Sequence, residues 1–198
     1  MKVVYFLYKI LPLVFWCLLI LGFDLPYIAV LTVISAIIHE CGHIFFAAKN
    51  KASALPEAHL TGFRIKIHGM SYREEMLVAM GGPLFNVAVG ILFSFAFRST
   101  PFHSYSAVFA MTNFMTAFSN LLPIEGYDGY KILYCLGSMI FDDVSAFESA
   151  LLRLSLLLSS SLCFLSLYLI LKVGEGYWIF VIFFSVTLAR LTKGKNTI

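Results

Sequence analysis

The stretch from residue 26 to residue 48, PYIAVLTVISAIIHECGHIFFAA, is an apolar run that carries two histidines and a glutamate near its end. A run of this length and composition is long enough to cross a bilayer as an α-helix. Ionisable side chains are expensive inside a membrane, so they mark functional sites by default. We therefore read this segment as a membrane helix that carries the functional site.

The composition of the whole chain places it in a membrane. Of the 198 residues, 60% are hydrophobic and 13% are charged, whereas soluble domains average about 45–50% apolar and about 25% charged residues. The net charge of +3 is small, and the basic residues are spread out, which excludes a nucleic-acid partner. We expect residues 1–198 to form a single integral-membrane domain surrounded by the lipid bilayer.

Six apolar runs are long enough to span the bilayer, which predicts an all-α polytopic membrane protein with about six transmembrane helices. The runs cover residues 5–23, 26–48, 75–97, 104–122, 150–171 and 176–192. The N-terminal run has the positive start of a signal peptide, but no small-residue cleavage site follows it. We expect it to be retained as the first span.

The distribution of Lys and Arg predicts the orientation. With a cytosolic N-terminus, the opposite side of the membrane keeps only Arg98 and Lys172, and all other Lys and Arg residues fall on the cytosolic side. Cytosolic loops carry the excess of positive charge in membrane proteins. Both termini are therefore predicted to be cytosolic.

The loop between spans 2 and 3 contains GFRIKIHG, residues 62–69, in which apolar and basic residues alternate. This period of two is typical of a half-buried strand. We expect a short membrane-associated β-hairpin here. It could lie passively on the membrane surface, or offer an edge strand that pairs with an extended peptide.

The sequence HECGH, residues 39–43, has the HExxH pattern. Residues four apart share one helical face, so His39 and His43 can direct two imidazoles at one metal ion. Glu40 is not in line with them and can act as a general base, as in zinc proteases. The alternative is that the two histidines only make hydrogen bonds between membrane helices. The four cysteines form no CxxC pair, and we interpret them as small apolar fillers.

A catalytic zinc ion usually has three protein ligands, and spacing alone leaves the third one open. The available residues are Glu57, His59, His68, Glu74, Glu75, His103, Glu125 and Asp128. Glu74 and Glu75 suit the N-terminus of the third span, and His103 falls on the opposite side of the membrane. Asp128 follows a helix-breaking stretch that either lines a wet cavity or forms a polar turn at the membrane surface.

A third polar element lies in the third span. Ala79, Gly82, Asn86 and Gly90 recur at helical spacing and form a stripe of small residues that lets membrane helices approach closely. Packing explains the glycines. It does not explain Asn86, a polar amide deep in the span that requires a hydrogen-bond partner.

Taken together, HECGH, GGPLFN (residues 81–86) and NLLPIEGYDG (residues 120–129) resemble the motifs of the site-2 protease family of intramembrane zinc metalloproteases. The resemblance covers about residues 30 to 135. It implies one Zn²⁺ per chain held by His39, His43 and Asp128, with Glu40 as the catalytic base. It also implies that Asn86 and Asn120 lie near the site and help to bind substrate.

The six-span arrangement is similar to the bacterial sporulation branch that processes a pro-sigma factor, which implies a bacterial cell membrane. The chain ends at Ile198, and we expect neither the C-terminal regulatory domain of that branch nor a PDZ-type insertion. The implied partner is a membrane-spanning or membrane-associated protein or peptide substrate, and a regulatory membrane partner is compatible with it.

Two functions follow from these observations. The first is a zinc endopeptidase that hydrolyses peptide bonds of membrane-associated substrates near the cytosolic face. The alternative is a non-proteolytic transport or channel protein whose polar groups line a pathway. The HExxH spacing and the later Asp motif favour the first, because a pathway requires neither.

Overall fold

The structure is a computed structural model that describes residues 26–50, 54–59, 62–67, 70–96 and 101–174, together with four isolated positions between 180 and 187. The chain divides into two compact units after Leu121. The predicted first span lies outside the described residues, and the predicted sixth span lies outside them apart from the four isolated positions.

The first unit contains three helices and a hairpin. In chain order these are α1 (Pro26–Lys49), β1 (Ala54–His59), β2 (Gly62–Ile67), α2 (Tyr72–Ala96) and α3 (His103–Asn120). Each of the three helices packs against the other two. Their bounds lie within a few residues of the second, third and fourth apolar runs in the sequence.

The two strands of the first unit are antiparallel, with Ala54 opposite Ile67 and His59 opposite Gly62. They connect α1 to α2 at the Lys49 end of α1. The association of this hairpin with a membrane surface stays a prediction.

Helix α2 begins with a capping box. The backbone N–H and the hydroxyl of Ser71 both donate to Glu74 Oε2 at 2.8 Å, and the Ser71 hydroxyl faces the Glu74 N–H at 3.4 Å. This reciprocal arrangement satisfies backbone donors that a helix start leaves open. The prediction that Glu74 serves the helix N-terminus is confirmed, and Glu75 lies in the same first turn.

Glycines allow the three helices to approach closely. A side chain at Gly42 on α1 would collide with the backbone of Gly81 on α2, and one at Gly81 would collide with the backbone of Gly42. Further along α2, Gly90 lies against the ring of Phe114 on α3. The helices can pack at this distance only because these positions have no Cβ atom.

The second unit contains helices α4 (Asp128–Ile140) and α5 (Val144–Val173). A non-helical stretch precedes α4, in which Gly126 has a positive φ of 102°. At the other end of α4, Phe141 stacks on Phe147 with ring centroids 5.0 Å apart. The sequence did not predict α4 as a separate helix.

Among the described residues, three helical segments are long and apolar enough to cross a membrane: Val30–Lys49, Tyr72–Ala96 and Val144–Val173. This supports a membrane protein. Helix α3, the predicted fourth span, is not among the three, because Ser, Thr and Asn residues are frequent along it. The total of six spans therefore stays a prediction.

Candidate metal centre

Two imidazoles lie side by side on the face of α1 that packs into the first unit. His39 and His43 are one helical turn apart, as their spacing predicts, and only 5% and 8% of their surfaces are exposed. Their Nε2 atoms are 3.2 Å apart. The ring centroids are 4.8 Å apart and the rings are nearly perpendicular.

The Nδ1 atom of each ring contacts an oxygen on α2. His43 Nδ1 is 2.8 Å from the carbonyl oxygen of Val78, which can only accept a hydrogen bond. His39 Nδ1 is 2.7 Å from Asn86 Oδ1. Both Nδ1 atoms therefore carry the ring proton and donate it, which leaves a lone pair on each Nε2. Such partners orient a ligating histidine and select its tautomer.

The spacing of the two Nε2 atoms suits a metal ion. Two nitrogens bound to a tetrahedral zinc ion at about 2.0–2.1 Å lie about 3.3 Å apart, close to the observed 3.2 Å. A cation bound between the two rings would use the lone pairs of both nitrogens. The pair could therefore provide two ligands of a metal site.

Gly82 on α2 provides room beside the two rings. A Cβ atom built there would lie 2.6 Å from the Nε2 atoms of both His39 and His43. Any other residue would place a side chain against the two nitrogens. The small-residue stripe predicted on α2 thus has a second purpose at this position, in addition to helix packing.

Asn86 is fully buried and connects the three helices of the first unit. Its Nδ2 donates to Asn113 Oδ1 on α3 at 2.8 Å and lies 3.0 Å from both the backbone oxygen and the hydroxyl of Ser35 on α1. Its Oδ1 faces His39. The partner that the sequence required for Asn86 is therefore this network. Asn86 has no exposed surface with which to touch a substrate.

The neighbouring residues of the HExxH segment take different positions. Glu40 is half-buried, whereas Cys41 is exposed. The interpretation of Cys41 as a small apolar filler is wrong in this structure, because the residue is exposed. Cys135, in contrast, is fully buried, as expected for a small apolar filler.

The other predicted site residues lie at the end of α3 and the start of α4. Asn120 is half-buried, and its Nδ2 donates to the backbone oxygen of Thr116 on its own helix at 2.9 Å. Asp128 is half-buried and is the first residue of α4. Three residues before it, the N–H of Glu125 donates to Ser155 Oγ on α5 at 2.7 Å.

Asn113 is a buried polar residue of this region that the sequence analysis did not identify. It is fully buried on α3 and bonds directly to Asn86. Its only signal in the sequence is a polar amide within an apolar run, the same signal that singled out Asn86.

No protein-family model matches the chain, and no curated protein matches it. The fold, in contrast, has a counterpart among solved structures. The chain is similar to the site-2 protease from Methanocaldococcus jannaschii, with a TM-score of 0.63 and 18% sequence identity, over 94% of this chain and 87% of that one. At this identity the likeness is one of fold, and the chain has a site-2 protease fold.

Proposed function

We propose that this chain is an intramembrane zinc endopeptidase that hydrolyses peptide bonds of membrane-associated substrates near the cytosolic face of the membrane. The observation that carries the proposal is the distance of 3.2 Å between the Nε2 atoms of His39 and His43, whose Nδ1 atoms each lie within hydrogen-bond distance of an oxygen on α2. The site-2 protease fold supports it independently.

We assign Asp128 as the third ligand, so that one Zn²⁺ per chain is held by two imidazoles and a carboxylate. Two imidazole nitrogens and a carboxylate oxygen are donors of the types that catalytic zinc binds in proteins. A His₂-carboxylate set leaves a fourth position open, which is typical of catalytic zinc. The motif NLLPIEGYDG supports the choice of Asp128 over Glu125.

Glu40 is the proposed general base. When bound, Zn²⁺ would polarise the substrate carbonyl and lower the pKa of a water molecule to about 7. Glu40 accepts a proton from the attacking water and passes it to the departing amide nitrogen. A half-buried carboxylate next to His39 in the chain is suited to this transfer, since it lies beside the ligands without lying on their face.

The two asparagines have separate roles in this proposal. Asn86 orients His39 through the 2.7 Å contact with Nδ1, and its burial favours this role over substrate contact. Asn120 retains the proposed role of binding substrate, because it is half-buried at the end of α3. Its amide oxygen can accept a hydrogen bond from a substrate N–H.

The depth of the site follows from its position on α1. His43 lies six residues before Lys49, which ends the helix, so a rise of 1.5 Å per residue places it roughly 9 Å from that end. In a hydrocarbon core about 30 Å thick, this is the cytosolic third. The distribution of Lys and Arg supports the same orientation, with both chain termini in the cytosol. We propose that the membrane is a bacterial cell membrane and that the chain crosses it with about six spans.

A substrate must be extended at its scissile bond to expose the carbonyl group. We infer that a substrate helix unwinds near its cytosolic boundary, where Gly, Pro or Asn would weaken it. The hairpin formed by β1 and β2 lies on the membrane in this proposal, and an edge of it could hold the extended segment by main-chain hydrogen bonds. A regulatory membrane partner would act by controlling access to this edge.

The test of the proposed function uses the variant Glu40→Gln, which keeps the shape of the side chain but cannot accept a proton. Membrane peptides are compared by mass spectrometry between cells that carry the wild type and cells that carry the variant. We expect cleavage to fall by about 10²–10⁴-fold, with zinc content unchanged. Cys41→Ser, an exposed change on the same helix, is the matched control and should cleave normally.

The same experiment separates a protease from a channel or transporter. New termini that depend on Glu40 support proteolysis, and they should cluster near the cytosolic boundary of the substrate span. Equal peptide patterns in wild type and Glu40→Gln would refute the proposed function. Termini that cluster near the opposite face would instead refute the proposed orientation.

A further inference from the structure

A chain of hydrogen bonds leads from the backbone of α3 to His39. The carbonyl oxygen of Phe109 accepts a bond from Asn113 Nδ2 at 2.9 Å. Asn113 Oδ1 then accepts from Asn86 Nδ2 at 2.8 Å, and Asn86 Oδ1 faces His39 Nδ1 at 2.7 Å. Both asparagines are fully buried, so water does not compete for these bonds.

The carbonyl oxygen of Phe109 determines which group donates and which accepts in each of these hydrogen bonds. A backbone carbonyl can only accept, so the NH₂ group of Asn113 must point at Phe109 and its oxygen must point at Asn86. That oxygen in turn requires the NH₂ group of Asn86, which directs the Asn86 oxygen at His39. Each amide has one orientation that satisfies all its neighbours.

The orientation of Asn86 decides which nitrogen of His39 holds the proton. With its oxygen towards His39, the ring keeps its proton on Nδ1 and a lone pair on Nε2. With the amide reversed, an N–H would point at Nδ1, and the ring proton would move to Nε2. In that tautomer Nε2 could not bind a metal ion.

We propose that Asn113 is a positioning residue that sets the tautomer of His39 through Asn86. The inference rests on the proposed function, in which His39 Nε2 binds zinc, but its own content is the position of one proton. In the described contacts, Asn113 bonds to Asn86 and to the backbone oxygen of Phe109. It acts by removing one of the two orientations of the Asn86 amide.

Ser35 also helps to orient the Asn86 amide, which limits the expected effect of Asn113 substitutions on the tautomer of His39. Its backbone oxygen also accepts from Asn86 Nδ2 at 3.0 Å, and its hydroxyl donates to Thr116 Oγ1 on α3 at 2.9 Å. Loss of Asn113 therefore weakens the preferred orientation of Asn86 without abolishing it. Loss of the Asn86 amide itself should have the larger effect.

The test compares variants of α3 that differ in what they offer to Asn86. Asn113→Leu removes the acceptor at nearly constant volume. Asn113→Asp, as the neutral acid that burial favours, keeps an oxygen for Asn86 Nδ2 and an O–H for the carbonyl oxygen of Phe109. Thr112→Val is the matched control, because it removes a half-buried hydroxyl on the same helix that bonds to its own backbone at Val108. If Asn113→Leu does not fold, Asn113→Ser carries the same test, since its shorter side chain cannot span the gap to Asn86.

The readout is the tautomer of His39 in the metal-free full chain, measured by ¹⁵N NMR of labelled histidine and assigned with a His39→Gln variant. We expect the Nδ1–H tautomer in the wild type, in Asn113→Asp and in Thr112→Val. We expect a measurable share of the Nε2–H tautomer in Asn113→Leu. An unchanged tautomer in Asn113→Leu would overturn the proposal, and so would the same change in Thr112→Val.

Zinc affinity, measured by competition with a chelator, gives a second readout. Loss of a group bonded directly to a ligand costs about 10–100-fold in affinity, and we expect this range for Asn86→Leu. The loss of zinc affinity in Asn113→Leu should be smaller than in Asn86→Leu, and Asn113→Asp should restore the affinity towards that of the wild type. A wild type that shows the Nδ1–H tautomer but no Glu40-dependent cleavage would refute the proposed function and leave this inference standing.

Discussion

Buried polar side chains in the first unit bond from helix to helix, whereas those along α5 of the second unit bond largely to their own backbone. Asn86 alone connects α2 to both α1 and α3. On α5, the hydroxyls of Ser159, Ser160 and Ser166 each donate to a carbonyl oxygen three or four residues earlier. Both regions hold polar groups in apolar surroundings, but in the described residues the bonds between helices are concentrated in the first unit.

The difference separates two ways of placing a polar group in a membrane helix. A hydroxyl that donates to a carbonyl oxygen of its own helix is satisfied however that helix packs. Such a bond therefore does not determine which helices lie next to it. An amide that bonds to two other helices is satisfied at one register only. The first unit therefore fixes the position of His39, while the serines of α5 serve close packing. Two serines of α5 also accept bonds from elsewhere in the chain. Ser155 accepts from Glu125 N in the loop before Asp128, and Ser159 accepts from Thr187 Oγ1 at 3.2 Å.

The largest expected effect on zinc affinity comes from a substitution of Gly82, which lies on α2 beside the imidazoles of His39 and His43. Gly82→Ala would place a Cβ atom 2.6 Å from both Nε2 atoms, so the two rings must separate. We expect zinc affinity to fall by more than about 100-fold. This exceeds the loss of about 10–100-fold expected when a hydrogen-bond partner of a metal ligand is removed. Gly90→Ala is the control, because its Cβ would meet the ring of Phe114 instead. Chelator competition on both variants measures the difference, and equal affinities would contradict it.

A smaller effect is expected at Ser155. Ser155→Ala removes the hydroxyl that accepts from the half-buried N–H of Glu125, and loss of such a bond costs about 1 kcal/mol. Ser160→Ala removes a hydroxyl that bonds only within α5 in the described contacts, and we expect it to be nearly neutral. Thermal unfolding of the detergent-solubilised variants compares them. If Ser160→Ala destabilises the protein as much as Ser155→Ala does, the distinction between the two kinds of bond fails.

The smallest expected effect concerns the start of α5. Asp143 accepts from Ala146 N at 2.9 Å and from Ser145 Oγ at 2.8 Å, and these bonds lower the pKa of the Asp143 carboxyl below its ordinary value. A lowered folded-state pKa means that the contribution to stability is present above the unfolded pKa and is lost as pH falls through the folded value. Asp143→Ala should therefore unfold slightly earlier than the wild type at neutral pH. The difference in unfolding temperature between the two proteins should disappear at acid pH. A difference that grows as the pH falls would contradict the lowered pKa of Asp143.

Much of the first unit could be predicted from local pattern. Apolar runs placed α1 and α2 within a few residues, because a span must be long and apolar. The i, i+4 spacing placed His39 and His43 on one face, because helical geometry depends on spacing alone. The requirement of Asn86 for a partner was also evident from its type and its surroundings.

The identity of that partner could not be predicted, because it depends on how three helices pack. Asn113 and Asn86 are 27 residues apart, and nothing in either local pattern refers to the other. Helix α4 was missed for a different reason. Its segment is half polar and only 13 residues long, so a search for long apolar runs passes over it. The contact between Gly42 and Gly81 likewise exists only after folding.

The central claim is that His39, His43 and Asp128 hold one zinc ion per chain, and metal analysis of purified protein tests it most directly. Zinc is measured per chain in the wild type, in Asp128→Ala and in Glu125→Ala. The two variants each remove one carboxylate, and the two positions are three residues apart in the chain. We predict about one zinc per chain in the wild type and in Glu125→Ala, and a clear loss in Asp128→Ala. Zinc retained in Asp128→Ala and lost in Glu125→Ala would contradict the assignment.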